Sequence, residues 1–297
     1  MRVQISVESS QWSAHELIDS GRGLKLERFG DHLVVRREPK AWWEPALPVA
    51  EWQKAVAGFE GEGRAAAWKF WRPCAHEWLM RRGDLTFQAK FTEGSKHVGI
   101  FPEQDPHWRF IETEGRRLCS GIRAPRLLNL FGYTGAATLV AAKAGFHVTH
   151  VDASKPAVAW GRKNQSLSGL DEAPIRWILD DAVKYVRREI QRGSRYEAIL
   201  LDPPSFGRGP AGEVWKAEES LGELLDLCRQ ALSDTPRFVI LTIYSLEASS
   251  IMAGNLLDDM MRAHKGAVSI GELALPHKSC AKLLPLSLYA RWAYAGA

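Results

Sequence analysis

Cysteine is scarce in this chain, with 4 among 297 residues (Cys74, Cys119, Cys228, Cys280). No two stand as C-x-x-C, so neither a disulfide scaffold nor a thiolate zinc site is expected. A reducing compartment fits that usage. Long apolar runs are also missing: no stretch reaches the roughly 18 residues that a membrane span needs. Met1–Trp12 lacks the apolar core of a secretory leader. The expectation is a cytoplasmic protein without a membrane partner. Charge of one sign is lacking too. Up to residue 124 the balance is 19 − 17 = +2, and beyond it 20 − 18 = +2. No basic arm or tail marks strong non-specific nucleic-acid binding. Mild positive charge permits an RNA partner without arguing for one.

What is present divides into two textures. Eight of the twelve Trp residues precede residue 109. Short alternating runs lie there, such as Asp31–Arg36. Leu85–Phe91 and His97–Phe101 flank the Gly-containing Thr92–Lys96, which predicts a hairpin. Pro45 and Pro48 interrupt regular structure. The reading is a small β-rich unit over 1–120. From about residue 125, apolar strands alternate with helical segments. Arg126–Phe131, His147–Val151, Ile175–Leu179, Tyr196–Leu201 and Phe238–Thr242 are the strands, and helical sequence is expected from the fourth strand to about Leu232. That alternation predicts an α/β domain over 121–297 with a doubly wound, mostly parallel sheet of seven strands. Ala267–Leu275 and Leu284–Trp292 are joined by a loop, so this last pair should be antiparallel.

The strand ends carry the chemistry. Asn129-Leu-Phe-Gly-Tyr-Thr-Gly135 turns from strand into helix, where backbone N–H groups can approach an anionic group. A tight turn without ligand is the alternative. Asp152 ends the second strand and can accept from both ribose hydroxyls; Ser154 can cap the next helix. Asp180 and Asp181 end the third strand, where a carboxylate can face an adenine amine or cap a helix. Asp202-Pro-Pro-Ser-Phe206 ends the fourth. Pro203 and Pro204 freeze the backbone and free carbonyls from local N–H partners. Asp202 supplies an acceptor and Phe206 a stacking face, which together suit a flipped nucleobase.

In order and spacing these ends resemble the class I S-adenosylmethionine-dependent methyltransferases. Leu128–Gly135, Val151–Ser154 and Asp202–Phe206 resemble more narrowly the bacterial large-subunit ribosomal RNA methyltransferases that make 5-methylcytosine or 7-methylguanine. Val98-Gly-Ile-Phe-Pro-Glu-Gln104 is similar to the segment of that group near the cofactor. The resemblance spans about residues 85–297. It implies a Rossmann-like fold and S-adenosylmethionine as cofactor. It places Phe101, Gln104, Asn129, Phe131, Gly132, Tyr133, Thr134, Gly135, Asp152, Ser154 and Asp181 around that cofactor. Asn129 replaces a common acidic residue, and Phe131 and Tyr133 stand where simpler relatives have glycines. Asp202, Pro203, Pro204 and Phe206 would face the methyl acceptor, and the N-terminal hairpin would close over the cofactor.

One departure narrows the chemistry. The 5-methylcytosine enzymes place a nucleophilic Cys after the fifth strand, where this chain reads Leu241-Thr-Ile-Tyr-Ser-Leu246. A tyrosine, with a phenol pKa of about 10, is a poor substitute for a thiolate. Direct transfer to a nitrogen therefore fits better than covalent attack on a ring carbon. His76-Glu77 begins like a zincin helix, but Met80 breaks the motif, so no metal is expected. Trp68-Lys-Phe-Trp-Arg72 could stack bases beside cations, but core packing is the favoured expectation. His97 is expected exposed. The reading is a cytoplasmic methyltransferase acting on a base nitrogen in (ribosomal) RNA. A methyltransferase for a protein or small-molecule nitrogen, and a non-catalytic adenine-nucleoside sensor, stay open.

Overall fold

A computed structural model describes residues 4–61, 63–118, 124–210, 212–244 and 247–295. In chain order the elements are β1 (Ile5–Ser9), β2 (His15–Gly21), β3 (Leu24–Phe29), β4 (His32–Arg37), α1 (Val49–Trp52), β5 (Ala57–Glu60), β6 (Ala67–Phe70), β7 (Glu77–Arg82), β8 (Leu85–Lys90) and α2 (Asp105–Leu118). They continue with β9 (Arg126–Leu130), α3 (Ala136–Lys143), β10 (His147–Asp152), α4 (Lys155–Leu167), β11 (Ile175–Leu179), α5 (Ala182–Gln191), β12 (Ala198–Leu201), β13 (Phe206–Arg208) and β14 (Val214–Lys216). The last are α6 (Ala217–Ala231), β15 (Phe238–Ile243), α7 (Ser250–Met261), β16 (Gly266–Pro276) and β17 (Leu283–Tyr294).

The chain divides into two units. The larger comprises Met1–Glu8, His107–Glu272 and Ser287–Ala297, and the smaller Ser9–Pro106 and Leu273–Leu286. The expected boundary at 120/121 is thus replaced by an interleaved one, for reasons local to each unit. Glu8 on β1 accepts from the Tyr289 hydroxyl at 2.7 Å and from Arg291 at 2.6 Å. His107 stands edge-on to Tyr289 at 5.3 Å. Leu275, Leu284 and Leu286 pack with Leu17 and Ala41 of the smaller unit.

The large sheet runs β1-β16-β17-β15-β12-β9-β10-β11. Its β12, β9, β10, β11 and β15 pairings are parallel, and β17 runs antiparallel to β15. Every residue of β12 and β15 is buried, as strands covered on both faces require. The expected seven strands are eight, because β1 adds beside β16. Gly271 makes room for it, since a Cβ there would overlap the Ser6 carbonyl. A second departure follows β12. In place of continuous helix, β13 and β14 form a small antiparallel hairpin before α6.

In the smaller unit β2 to β6 form a five-stranded sheet. The hairpin is not the expected one. Leu85–Lys90 pairs with β7 across Gly83, whose φ of 57° suits the tight turn. His97–Phe101 forms no strand; it meets Lys90 through one bond, Lys90 N–H to the Val98 carbonyl at 3.1 Å. Under this sheet Glu27 is fully buried. It accepts from Arg36 at 2.8 and 2.9 Å and faces His15 at 3.1 Å and Lys25 at 3.6 Å. Against burial, the Arg36 and Lys25 charges and the His15 hydrogen bond hold its carboxyl well below the ordinary range. His97 is not exposed; burial and the nearby cations press its pKa down to about 3. Among the described residues no helix is long and apolar enough to cross a membrane.

His107 and His150 lie in the core of the larger unit, and burial lowers both pKa values from 6.5 to about 3. An unfolded chain protonates them near pH 6.5 while the native one does not. Their contribution is therefore complete above pH 6.5 and is lost as pH falls toward 3. Urea unfolding should show about 2 kcal/mol lower stability per histidine at pH 5 than at pH 7. Replacing His107 or His150 with a neutral residue should flatten that dependence; an unchanged slope would remove the histidine from its cause.

Candidate active site

The site is built on the carboxyl ends of β9, β10, β11 and β12. After β9 the chain turns through Phe131 and Tyr133, whose φ values are 57° and 50°, and Gly135, at 82°. Two non-glycines in the left-handed region store strain of about 1–2 kcal/mol each. The turn is tied down by Gly132 N–H to the Val151 carbonyl (3.1 Å) and Gly135 N–H to the Gly132 carbonyl (3.0 Å). Gly135 heads α3 and offers no side-chain cap, so the first N–H groups of that helix lack a side-chain acceptor. Thr134 is buried, and its carbonyl accepts from the Asn164 amide at 3.0 Å.

Beneath the turn lies a packed polar layer that the sequence reading missed. A Cβ on Gly132 would stand 2.4 Å from the His150 ring and 3.0 Å from the Asn129 amide. A Cβ on Gly135 would stand 2.7 Å from Trp177, and one on Gly161 2.4 Å from it. The Thr138 hydroxyl joins the Asn129 amide (2.8 Å) and His150 Nδ1 (2.9 Å). Asn129 is thus spent on support below the turn. Trp177 stacks obliquely on His150 at 4.4 Å, and its indole N–H donates to Gln165 at 2.8 Å. Only the period-two position of His150 on β10 could have signalled this layer.

At the end of β10, one Asp152 oxygen accepts from Tyr133 N–H and the other from Ser154 N–H, both at 2.8 Å. Burial raises the Asp152 pKa, and the two N–H groups oppose the rise. The carboxylate therefore bridges two strand ends. Ser154 caps α4, accepting from Ala157 N–H at 3.3 Å. Asp181 caps α5, accepting from Lys184 N–H at 2.9 Å. Asp180 accepts from Asp181 N–H at 2.9 Å and pairs with Arg188.

Asp202 follows β12 directly, with Pro203 buried and Pro204 exposed. The Pro204 carbonyl, free of local N–H groups, takes a distant partner. It accepts from the Trp215 indole at 2.7 Å, a contact across the β13–β14 hairpin. Trp215 also packs on Phe131 at 5.0 Å. Trp215 is buried on one face of the hairpin, while Phe206, Arg208, Val214 and Lys216 are exposed. Phe206 stands 55% exposed. At the end of β15, Thr242 and Ile243 are buried; Ser245 and Leu246 lie outside the described residues, as does Cys119. Cys228 is fully buried in α6, and burial pushes its thiol pKa up. Phe101 and Gln104 belong to the smaller unit, where Phe101 packs on His97 at 4.9 Å and Gln104 is buried.

The chain matches no family profile. It is similar over nearly its whole length to a solved S-adenosylmethionine-dependent methyltransferase from Agrobacterium tumefaciens. That match is 42% identical, covers 99% of this chain and 96% of the other, and has a TM-score of 0.92. A methyltransferase solved in complex with SAH shares the fold at 17% identity and TM-score 0.72, covering 96% of this chain and 76% of that one. Over 107 residues, 36% of this chain, it is 36% identical to the ribosomal RNA large subunit methyltransferase I of Aeromonas salmonicida. The chain spans 24% of that relative's length.

The layer under the turn makes a steric prediction. Gly132→Ala should cost about 1–3 kcal/mol in urea unfolding, the usual penalty for overpacking. Adding His150→Ala should return part of that loss. Strictly additive effects in the double-mutant cycle would exclude the contact.

Proposed function

The chain belongs to the S-adenosylmethionine-dependent methyltransferases, and from that premise we propose that it methylates a nitrogen of a nucleobase in RNA, with large-subunit ribosomal RNA as the substrate class. One observation carries the reading. The Asp202–Ser205 loop leads straight into a hairpin that exposes an aromatic ring, Phe206, between two cations, Arg208 and Lys216. An aromatic face flanked by positive charge suits a base with its phosphates. The match to a ribosomal RNA methyltransferase supports the same substrate class. A cytoplasmic location goes with it.

The cofactor fits the donor set. The uncapped N-terminus of α3 suits the carboxylate of the methionine part. The Asp152 carboxylate keeps lone pairs for two ribose hydroxyls beyond its two backbone bonds. Gly132, Thr134 and Gly135 bring backbone close, Phe131 and Tyr133 wall the turn, and Asp181 faces the adenine. When bound, the cofactor supplies a methyl group made electrophilic by a sulfonium.

The chain's own residues handle the acceptor. Pro203 and Pro204 hold the loop rigid, and Trp215 fastens the Pro204 carbonyl. Phe206 stacks the base. Asp202 would accept a hydrogen bond from the acceptor N–H, orient the nitrogen lone pair and take up the N–H proton, while the electron pair of the broken methyl–sulfur bond would stay on sulfur as a neutral thioether. Proximity does most of this work. No cysteine is needed.

Three measurements test this. Mass spectrometry of RNA nucleosides from a deletion strain should lack one N-methylated base, restored by wild-type protein but not by Asp202→Ala. That variant should lose roughly 10²–10⁴-fold in turnover and still bind cofactor. Calorimetry should show Asp152→Ala weakening cofactor binding by about 1–3 kcal/mol. A variant with all four cysteines replaced should keep its activity. A covalent adduct with 5-fluorocytosine RNA would overturn nitrogen transfer, and an unchanged RNA nucleoside profile would favour a protein or small-molecule acceptor.

A further inference from the structure

We propose that the outer edge of the five-stranded sheet in the smaller unit is a binding platform for single-stranded RNA, built by Lys69 and Trp71 on one face, by Phe70 and His76 on the other, and by Arg72 just beyond the end of β6. The proposal rests on the RNA reading above. β6 is the last strand of the order β2-β3-β4-β5-β6, so no further strand of that sheet covers it. The sequence favours core packing for Trp68–Arg72, and Trp68 obeys. It meets Phe59 at 5.5 Å and Phe91 at 4.6 Å, and its indole donates to the Ser95 carbonyl at 3.0 Å. The next two aromatics do not. Phe70 stays 41% exposed and Trp71 46% exposed, between exposed Lys69 and Arg72.

Trp71 is exposed yet held. Its ring sits over Gly58 of β5, where a Cβ would meet Cη2 at 2.4 Å, Cζ2 at 2.9 Å and Cζ3 at 3.2 Å. Glycine thus lets the indole lie against the backbone, with its remaining surface toward solvent. The Trp71 and Arg72 N–H groups both donate to the Val56 carbonyl, at 2.8 and 3.2 Å, which fixes the chain where β6 ends. Lys69 is registered opposite Gly58, so it shares the Trp71 face. Its ammonium pairs at the surface with Glu60 at 2.6 Å, and one Arg72 nitrogen donates to the Gln53 carbonyl at 3.0 Å. The other Arg72 N–H groups remain for an anion, and an exposed pair like Lys69–Glu60 exchanges readily for a phosphate. On the opposite face Phe70 stacks parallel on His76 at 4.3 Å and 9°, braced edge-on by Phe91 at 5.1 Å. His76 is itself exposed.

Two braced π-surfaces interleaved with cations are what a flexible nucleic-acid strand needs. Bases stack on any aromatic face, and the cations neutralise phosphates. A protein partner would call for a continuous apolar patch, which Lys69 and Arg72 interrupt.

The test is fluorescence anisotropy of a labelled single-stranded oligouridylate on the full-length protein across a salt series. Trp71→Ala should raise Kd about 5- to 150-fold, and Phe70→Ala should act in the same direction. Trp71→Tyr should retain most of the affinity. Lys69→Ala and Arg72→Ala should each lower the salt slope by roughly 0.7. Cofactor affinity and melting temperature should stay unchanged in Trp71→Ala. If the wild type binds the oligonucleotide and Trp71→Ala binds it equally, with the same salt slope, the platform is excluded while the RNA reading stands. If the wild type binds no RNA, both fall.

Discussion

His150 lies so close under the turn after β9 that any side chain on Gly132 would collide with its ring. The turn after β9 and its tie to the end of β10 follow from that contact. The turn settles onto a layer made of His150, Thr138, Asn129 and Trp177. Phe131 and Tyr133 are pinned in left-handed conformations that residues with a Cβ avoid. With the turn held, Tyr133 N–H reaches Asp152, which aligns the acidic end of β10 with the head of α3. A neutral imidazole suits this place. Burial keeps His150 uncharged, and its ring can fill apolar space while Nδ1 binds a hydroxyl.

The acceptor side uses a different device. Backbone freedom beyond β12 is removed twice, by the ring constraint of Pro203 and Pro204 and by the Trp215 indole on the Pro204 carbonyl. Trp215 also leans on Phe131. One buried tryptophan therefore couples the loop after β12 to the turn after β9, so two loops from different strands share one rigid support. The same hairpin turns Phe206 and its neighbouring cations outward.

The smaller unit buries a charge network beside its apolar packing. Glu27 with Arg36, Lys25 and His15 makes a network whose members satisfy one another. Removing one partner would leave the others buried without compensation. That interior is consistent with an edge strand free to expose its aromatics, because β6 is not the strand on which the core depends.

The sequence by itself determined the five parallel strands of the larger unit, the last strand pair beside them and where β9, β10, β11 and β12 end. Those features are local: apolar runs of strand length, helical periodicity, and glycine or proline at turns. Gly132, Asp152 and Asp202 were legible for that reason. Tertiary structure decided the rest. Strand position does not say which way the Asn129 amide hydrogen-bonds; its N–H group meets Thr138, nine positions away on a helix. β1 joined the sheet because Gly271, far along the chain, leaves it room. The hairpin after β12 and the β7–β8 pairing were choices between turns of similar local preference, made by Trp215 and Gly83 in their folded settings. Trp71 read as core because an aromatic among aromatics usually is. Its exposure was decided by Gly58, a residue on the neighbouring strand that could brace the ring without covering it.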